Sequence, residues 1–238
     1  MADWSDHFDR DGYAVVPDVL DDDAIEHLGM SLERLEASDT SLEREGRVYA
    51  ARNLLQLIPD LSTLAATEPL IGLARRILGD RAFVVRALLF DKTPEANWLV
   101  PWHQDLTIAV KTKVAEAEGY GPWTRKGGIP HVQPPVEVLE RMVTLRVHLD
   151  AAGSDNGPLR VVPGSHASGR LNAEATREWI DRVGPRECCV ERGSVVVMRP
   201  MILHASSPAK APDRRRVVHI EYAADALPRG VEWFEAEN

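Results

Sequence analysis

Residues 193–207 read GSVVVMRPMILHASS, and this stretch decides the fold class. Two short apolar runs lie on either side of an Arg-Pro pair, and the first run contains three consecutive valines. Each run is shorter than a typical helix and is rich in residues that favour strands, while glycine and proline mark the ends of such runs. The stretch therefore predicts two consecutive β-strands.

Similar runs recur on both sides of this stretch, from residue 81 onward. They read RAFVVRALLFDKT (81–93), MVTLRVHLDAA (142–152), LRVVPGSH (159–166) and RRVVHIEYAA (215–224). Turn-forming proline, glycine and asparagine residues separate them. Short strands at this spacing predict an antiparallel sandwich or barrel.

The N-terminal part, residues 1–80, is predicted to be mainly helical and to support the strands. In the segment 21–38 an Asp-rich start precedes an apolar face with helical spacing, formed by Ile25, Leu28, Leu32 and Leu35. In the segment 68–80, Pro69 lies at a predicted first turn and Gly79 at the end of the helix. The apolar stripe of this second segment consists of Leu70, Leu73 and Ile77.

Length and composition predict one domain over residues 1–238, because 238 residues with 44% apolar content can bury a single substantial core. We expect residues 81–225 to form the strand-rich core of this domain. A long connection that contains several glycines and prolines, residues 111–140, interrupts the strands. Connections of this length are often lids or binding loops, and a plain surface excursion is the alternative.

The formal net charge of −9 argues against a nucleic-acid partner, which needs a concentrated basic face. The dense basic run is Arg214 to Arg216, and we expect Arg214 and Arg216 to be surface residues or guards of a sheet edge. No stretch approaches the roughly 20 apolar residues of a membrane span. The two cysteines, Cys188 and Cys189, are sequence neighbours and predict no disulfide framework, so we expect a reducing, cytoplasmic location.

Four histidines are followed two residues later by an acid: His7/Asp9, His103/Asp105, His148/Asp150 and His219/Glu221. In a strand, side chains two residues apart point to the same face, so His103 and Asp105 offer an imidazole nitrogen and a carboxylate oxygen to one ion. This pair, in PWHQDLTIAV (101–110), is half of a metal site. Two histidines and one carboxylate on one face of an octahedron hold Fe(II) and leave positions open for a co-substrate and O2.

His204 is the best candidate for the third ligand, because it ends an apolar run that comes from a different predicted strand. Ser206, two residues later, adds a hydroxyl to the same face. A loop then leads to Arg215 at the start of another strand. An arginine that faces the interior of a barrel is suited to bind a carboxylate through two hydrogen bonds.

Two other pairs are rivals for the metal site. The pair at His148 also alternates on a predicted strand, and we expect it to line the barrel interior or the substrate wall, with His148 and Arg146 as candidate substrate contacts. The pair at His219 is followed by Arg229 ten residues later. The intervening YAADALPRG is interpreted as a chain that leaves the barrel, so His204 is preferred as the ligand.

The motifs WHQD, NGPLRVVPGSH, GSVVVMRPMILHASS and RRVVHIEY follow one another between about Phe90 and Tyr222, over roughly half of the chain. This ordered set resembles the phytanoyl-CoA dioxygenase family of Fe(II)- and 2-oxoglutarate-dependent oxygenases, although this chain has HAS where many relatives have HGS. The resemblance implies a mainly β fold with flanking helices. That fold is a double-stranded β-helix, or jelly roll, whose open mouth holds the iron.

The resemblance also implies functional roles by position. The residues that resemble the iron ligands and catalytic residues are His103, Asp105 and His204. Arg215 resembles the anchor of the distal carboxylate of 2-oxoglutarate, and Ser206 resembles its hydroxyl partner. Lys92 and Trp98 are further candidates for binding the co-substrate.

The implied activity is that of a dioxygenase that uses Fe(2+), 2-oxoglutarate and O2, hydroxylates a small organic molecule and releases succinate and CO2. Asp105 counts against halogenation, because related halogenases have a small residue at that position. The expected partner is a small-molecule substrate, with no nucleic acid and no membrane. Two alternatives stay open: a noncatalytic jelly-roll sensor that binds the metal and the acid, and a cupin-like metalloenzyme that uses the ion as a Lewis acid. These motifs do not encode the primary substrate or the oligomeric state.

Overall fold

The helices are concentrated in the N-terminal third of the chain. A computed structural model describes residues 3–36, 38, 41–44, 47–211 and 213–236. Within these ranges the α-helices are α1 (Trp4–Asp11), α2 (Asp22–Glu33), α3 (Leu54–Leu57), α4 (Pro59–Ala66), α5 (Leu70–Leu78), α6 (Val136–Glu140) and α7 (Ala173–Val183). A 3₁₀-helix covers Ser165–Ser168.

In the described ranges, eleven of the fourteen strands lie between residues 83 and 223. The first three, which precede this region, are β1 (Tyr13–Val16), β2 (Ser41–Arg44) and β3 (Arg47–Arg52). The next five are β4 (Phe83–Lys92), β5 (Val100–His103), β6 (Ile108–Ala109), β7 (Trp123–Lys126) and β8 (Ile129–Val132). The last six are β9 (Met142–His148), β10 (Leu159–Val161), β11 (Arg186–Cys188), β12 (Val195–Met198), β13 (His204–Ser206) and β14 (Arg215–Ala223).

In the described part of the chain these strands form three antiparallel sheets. The major sheet has the strand order β1-β12-β9-β14-β4-β3-β2, the minor sheet has the order β11-β10-β13-β5, and a small sheet has the order β6-β8-β7. Side chains from the major and minor sheets line a common interior, so these two sheets are the facing layers of a jelly roll. The fold class predicted from the sequence is confirmed.

Strand alternation directs the side chains of the major sheet into two environments. On β9, Val143, Leu145 and Val147 belong to a buried apolar cluster that also contains residues of the N-terminal helices. Arg146, between two of these residues, lines the interior between the sheets. The helices therefore cover the outer face of the major sheet, and its inner face is left for polar side chains.

Both predicted N-terminal helices form, but α2 ends at Glu33, so Leu35 of its predicted apolar face lies beyond the helix. Asp21 caps α2 by accepting a hydrogen bond from the backbone N–H of Ala24 at 2.9 Å. The buried face of α2 includes Ile25, Leu28 and Leu32. Pro69 directly precedes α5, and Gly79 ends it with a φ of +86° that favours glycine. The same N-terminal region also contributes β1 to one end of the major sheet and the β2–β3 hairpin to the other.

The prediction that Arg214 and Arg216 are surface residues or guards of a sheet edge is wrong. Strand β14 lies in the middle of the major sheet, between β9 and β4, and both side chains are partly buried in ion pairs. Arg214 pairs with the buried Asp91 at 2.8 Å, and Arg216 donates two hydrogen bonds to Asp150 at 2.7 and 2.9 Å. Arg215 is turned to the opposite face of the strand, as the alternation predicts.

Residues 111–140 contain regular structure and are packed against the end of the chain. Strands β7 and β8 form a hairpin, and β8 pairs with β6. Val132, Leu139 and the C-terminal Trp233 belong to a second buried apolar cluster. A lid function for this segment stays a prediction.

The two neighbouring cysteines are free thiols, as expected from their adjacency in the sequence. Cys188 is buried and Cys189 is exposed. None of the helices in the described ranges has the length and apolar character that crossing a bilayer requires.

Candidate metal centre and its two cavities

The pairing of β5 with β13 brings the predicted metal ligands together. The Cα positions of His103 and His204 lie opposite each other in this antiparallel pair. Asp105 follows the end of β5, and its backbone N–H donates to the carbonyl of Pro200 at 2.9 Å. Backbone hydrogen bonds in and next to the minor sheet therefore set the Cα positions of all three residues.

The side chains of His103, Asp105 and His204 converge on one point. Asp105 Oδ1 lies 3.7 Å from Nε2 of His103, and Asp105 Oδ2 lies 3.6 Å from Nε2 of His204. One nitrogen or oxygen atom from each of the three residues lies within 4.8 Å of the others, a spacing that one ion can bridge. Asp105 Oδ2 is buried and has no hydrogen-bond partner among the described residues. A buried carboxylate oxygen without a partner fits a cation at this point.

Backbone carbonyls select the tautomer of both histidines. Nδ1 of His103 lies 2.8 Å from the carbonyl oxygen of Pro101, and Nδ1 of His204 lies 2.9 Å from that of Ile202. Because a carbonyl only accepts, each Nδ1 carries the proton and donates it. The two Nε2 atoms then present lone pairs toward Asp105, which is the arrangement that metal-ligating histidines adopt.

Electrostatics hold these groups in the protonation states that bind metals. Burial alone raises the pKa of Asp105, but the neighbouring His204, His219 and His103 outweigh it and lower the pKa to about 2. Burial lowers the pKa of His204 to about 4, against the opposing attraction of Asp105. At neutral pH the site therefore contains a carboxylate and a neutral imidazole, the forms that ligate a metal.

Gln104, between His103 and Asp105, stabilises the chain segments around these two ligands. Its amide nitrogen donates to the carbonyls of Gly169 at 2.8 Å and Met201 at 2.6 Å. Its amide oxygen accepts from the backbone N–H of Leu171 at 2.8 Å. Gln104 thus points away from the ligands on either side of it and ties β5 to the segment that precedes β13.

A cavity of about 130 Å³, here called the inner cavity, lies on one side of the three candidate ligands. The four residues predicted to bind the co-substrate all line it: Lys92, Trp98, Ser206 and Arg215. Lys92 Nζ donates to Ser206 Oγ at 2.9 Å and lies 5.4 Å from the centre of the Trp98 ring. Arg215 donates through Nη2 to Ser206 Oγ at 3.2 Å and through Nη1 to the carbonyl of Gly157.

The inner cavity is strongly positive. Burial and the nearby Arg215 and Arg146 lower the pKa of Lys92 to about 7, and burial and Arg146 lower that of Arg215 to about 10. None of these three cations has a carboxylate partner in the described part of the chain, and the buried Nε atoms of Arg146 and Arg215 have no hydrogen-bond partner there. Such a lining fits a bound dianion.

A second cavity of about 460 Å³, here called the outer cavity, lies on the other side of the candidate ligands. His103, Asp105 and His219 line both cavities, so the two meet at the candidate metal centre. Its polar wall contains Glu221 and four residues that the sequence motifs do not indicate, namely Arg52, Arg86, Lys126 and Gln133. Lys126 and Gln133 come from the insertion, residues 111–140.

His219 lies inside the site, although the sequence motifs favour His204 over the His219/Glu221 pair as the third ligand. Its Nε2 lies 3.9 Å from Asp105 Oδ2 and 3.5 Å from Glu221 Oε1. Its Nδ1 accepts a hydrogen bond from Arg146 Nη1 at 3.0 Å, because arginine can only donate. The neutral ring therefore carries its proton on Nε2 and offers a donor to the carboxylates, whereas His103 and His204 offer lone pairs.

The chain leaves the barrel after Ala223, within the segment YAADALPRG for which this is predicted. Strand β14 continues to Ala223, so His219 and Glu221 are interior residues of a central strand. The alternation of Arg215, His219 and Glu221 on one face of RRVVHIEY is the signal that predicts this.

The two candidate substrate contacts are separated in the structure. Arg146 lines the inner cavity, on the side of the predicted co-substrate residues. His148 is fully buried and lines neither the inner nor the outer cavity. Its two ring nitrogens have no hydrogen-bond partner among the described residues, and burial lowers its pKa well below the usual range.

Comparison with known proteins identifies the family. The family model for phytanoyl-CoA dioxygenase (PhyH) matches residues 8–217. L-proline trans-4-hydroxylase of Streptomyces griseoviridis is 24% identical over 252 residues, which cover 93% of this chain and 86% of the relative. Ectoine dioxygenase of Sphingopyxis alaskensis is 27% identical over 167 residues, which cover 67% of this chain and 47% of the relative.

A solved structure shows the same fold. The crystal structure of EctD from S. alaskensis with 2-oxoglutarate and 5-hydroxyectoine has a TM-score of 0.74 and 24% identity, and the match covers 100% of this chain and 84% of that chain. The family match spans both sheets and the segments that carry the candidate ligands. The chain therefore belongs to the phytanoyl-CoA dioxygenase family and is an iron- and 2-oxoglutarate-dependent dioxygenase.

Proposed function

We propose that this dioxygenase hydroxylates a small organic molecule at the junction of the two cavities. His103, Asp105 and His204 hold the iron, the inner cavity receives 2-oxoglutarate and the outer cavity receives the substrate. The observation that carries the proposal is that two of the three ligands, His103 and Asp105, line both cavities, while His204 lines the inner cavity. A co-substrate and a substrate can thus reach one metal ion from different sides.

The candidate ligands fit ferrous iron in number and in chemistry. Two neutral imidazoles and one carboxylate leave three positions of an octahedron open. When bound, iron and 2-oxoglutarate supply the oxidant that converts a C–H bond to C–OH, with release of succinate and CO2. Against the effect of burial, His204 and His219 lower the pKa of Asp105, and His219 Nε2 lies 3.9 Å from Asp105 Oδ2.

The inner cavity supplies what a five-carbon dianion needs. Arg215 and Ser206 bind the carboxylate far from the metal, because they lie next to each other and Arg215 Nε lacks a partner in the described ranges. Lys92 approaches from the other side of Ser206, and Trp98 closes the cavity over it. Arg146 adds positive charge nearer to the metal ligands, since its charge and that of Asp105 act on each other's pKa.

The outer cavity limits the substrate to a small molecule. A volume of about 460 Å³ lies within the usual range for small-molecule sites. Relatives of this chain are named for L-proline and ectoine, both small molecules. With a net charge of −9, the chain is proposed to act on such a metabolite without a nucleic-acid partner, as a single domain whose insertion 111–140 helps to enclose the substrate.

Anaerobic titration with Fe(II) and then 2-oxoglutarate tests this assignment. The wild-type protein is expected to bind about one equivalent of iron and to develop the weak visible charge-transfer band of the iron–2-oxoglutarate chelate. Asp105→Ala is expected to lose both, whereas His27→Ala, which removes an exposed histidine paired with Asp60, keeps both. Iron binding by Asp105→Ala with wild-type affinity would reject the ligand assignment.

A further inference from the structure

The outer cavity contains more positive than negative side chains. Its cations are Arg52, Arg86 and Lys126, and its carboxylates are Asp105 and Glu221. Arg86 donates to Glu221 at 3.1 Å in a buried ion pair. Asp105 faces the histidines of the candidate metal centre. Both carboxylates of the cavity are therefore engaged, and two cations are left over.

Arg52 is one of the two cations of this cavity that have no carboxylate partner among the described residues. It lies at the end of β3, and its Nε is shielded from solvent and has no hydrogen-bond partner among the described residues. Burial and the neighbouring Arg86 lower its pKa. A shielded guanidinium N–H without an acceptor is unfavourable until a ligand supplies one.

Lys126 is the second unpaired cation. It lies at the end of β7 in the insertion, and its Nζ donates to the hydroxyl of Thr107 at 2.9 Å. No carboxylate in the described part of the chain pairs with it. Burial lowers its pKa, and Arg86 and Arg52 lower it further.

Two separate parts of the chain thus place like charges on one half-buried cavity. The β2–β3 hairpin contributes Arg52, and the insertion contributes Lys126. Like charges that face each other across a poorly solvated space repel, and an anion between them relieves that repulsion. The co-substrate does not meet this need, because the inner cavity has its own cations, Lys92 and Arg215.

We infer that the substrate carries an anionic group and that Arg52 and Lys126 bind it in the outer cavity. The inference rests on the proposed function and specifies its substrate class. The apolar part of the substrate contacts Phe90 and Leu106, which line the same cavity, and its C–H bond faces Asp105 and His103. Carboxylate, sulfonate and phosphate groups share the chemistry that two such cations recognise.

Equilibrium binding to the anaerobic holoenzyme tests this inference. The protein is loaded with Fe(II) and saturating 2-oxoglutarate, so that the inner cavity is filled, and the binding of each probe is measured by calorimetry. The anionic probes are hexanoate, hexane-1-sulfonate and hexyl phosphate, and the controls of equal chain length are hexanamide and hexylammonium. At least one anion is expected to bind about tenfold or more tightly than hexanamide.

Matched variants locate the preference. Arg52→Met and Lys126→Met are each expected to weaken binding of the preferred anion by about fivefold or more, with hexanamide unchanged. Arg52→Lys, which keeps the charge, is expected to retain part of the preference. Arg125→Met is the control, because Arg125 is exposed, is adjacent to Lys126 on β7 and donates to the carbonyl of Gly128. Thermal melts of all variants establish that each is folded.

The outcomes separate the inference from the proposed function. Equal affinity of the wild-type protein for the anions and for hexanamide, with a normal chelate band, would overturn the inference alone. An equal loss of anion binding in Arg125→Met and Lys126→Met would also overturn it. Absence of the chelate band in the wild-type protein would overturn the proposed function and the inference with it.

Discussion

His103 and His204 lie directly opposite each other in the β5–β13 pair, with ring centroids 4.1 Å apart. Opposite residues of an antiparallel pair project from the same face of a sheet. Each Nδ1 is bound to a backbone carbonyl two residues earlier in its own segment. Backbone pairing therefore positions the two imidazoles before any ion is bound.

The two histidines should differ in their effect on stability although both hold the metal. His103 has a side chain that is 38% exposed, and that of His204 is 4% exposed. His103→Ala is expected to abolish iron binding and to leave the free energy of unfolding of the metal-free protein nearly unchanged. His204→Ala is expected to abolish iron binding and to cost about 2 to 4 kcal/mol, because it leaves a buried cavity. Urea unfolding of the metal-free proteins measures the difference, and equal costs would contradict this account.

The neighbours Arg214 and Arg215 provide a matched pair of variants. Arg215→Ala is expected to weaken 2-oxoglutarate binding by about a hundredfold or more, since a buried charge-assisted contact is lost, while iron binding is kept. Arg214→Ala is expected to keep 2-oxoglutarate affinity and to lower the free energy of unfolding by about 1 to 3 kcal/mol, because the buried carboxylate of Asp91 loses its charge-assisted hydrogen bonds to Arg214. Calorimetry with 2-oxoglutarate and urea unfolding test the pair. Unchanged co-substrate affinity in Arg215→Ala would reject its role.

Lys92 should make 2-oxoglutarate binding depend on pH. Burial, Arg215 and Arg146 lower the pKa of Lys92 from 10.5 to about 7, so above pH 7 the free protein increasingly holds a neutral amine. A dianion bound beside Lys92 favours the charged form, so binding takes up a proton above pH 7. The dissociation constant is therefore expected to rise by up to about tenfold per pH unit between pH 7 and 9.

Calorimetry in buffers of different ionisation enthalpy measures this proton uptake. Lys92→Met is expected to bind 2-oxoglutarate more weakly at pH 7 and to remove most of the pH dependence. A slope in Lys92→Met equal to that of the wild-type protein would assign the titration to another group.

Local sequence patterns predict an antiparallel sandwich or barrel and a set of candidate ligands, because both depend on spacing within short segments, and the family resemblance narrows the fold to a jelly roll. The alternation in PWHQDLTIAV predicts that His103 and Asp105 share a face, and the apolar run before His204 predicts a second strand. The order of strands in the sheet depends on contacts between distant segments. Strand order is therefore not visible in a local pattern. The sequence predicts that Arg214 and Arg216 lie on the surface or at a sheet edge, whereas β14, to which they belong or lead, lies in the middle of the major sheet.

The wall of the outer cavity also depends on contacts between distant segments, so the sequence does not predict it. Arg52, Lys126 and Arg86 are far apart in the sequence, and each alone is indistinguishable from a surface charge. Their shared location depends on how the β2–β3 hairpin and the insertion pack onto β4 and β14. Only the three-dimensional structure shows that the first two have no carboxylate partner in the described ranges.

Glu235 should make the stability of the protein fall as the pH rises through neutrality. Its carboxylate is buried and accepts hydrogen bonds from the backbone N–H groups of Leu55 at 3.0 Å and Ala87 at 3.2 Å. Burial raises its pKa from 4.5 to about 7, although these N–H groups and Arg86 oppose the shift. The folded protein therefore binds a proton that the unfolded chain releases between pH 4.5 and 7. The stabilisation is complete below pH 4.5 and is lost as the pH rises through 7.

The expected loss is about 2 to 3 kcal/mol in the free energy of unfolding between pH 5 and 8, relative to a variant without this group. Glu235→Gln supplies that variant, and Glu232→Gln is the control, because Glu232 is exposed in an ion pair with Lys111. Urea unfolding at several pH values measures the difference between the wild-type protein and each variant. If the difference between the wild-type protein and Glu235→Gln stayed constant from pH 5 to 8, Glu235 would not titrate in this range. The C-terminal segment would then be held to α3 and β4 equally well at both ends of the range.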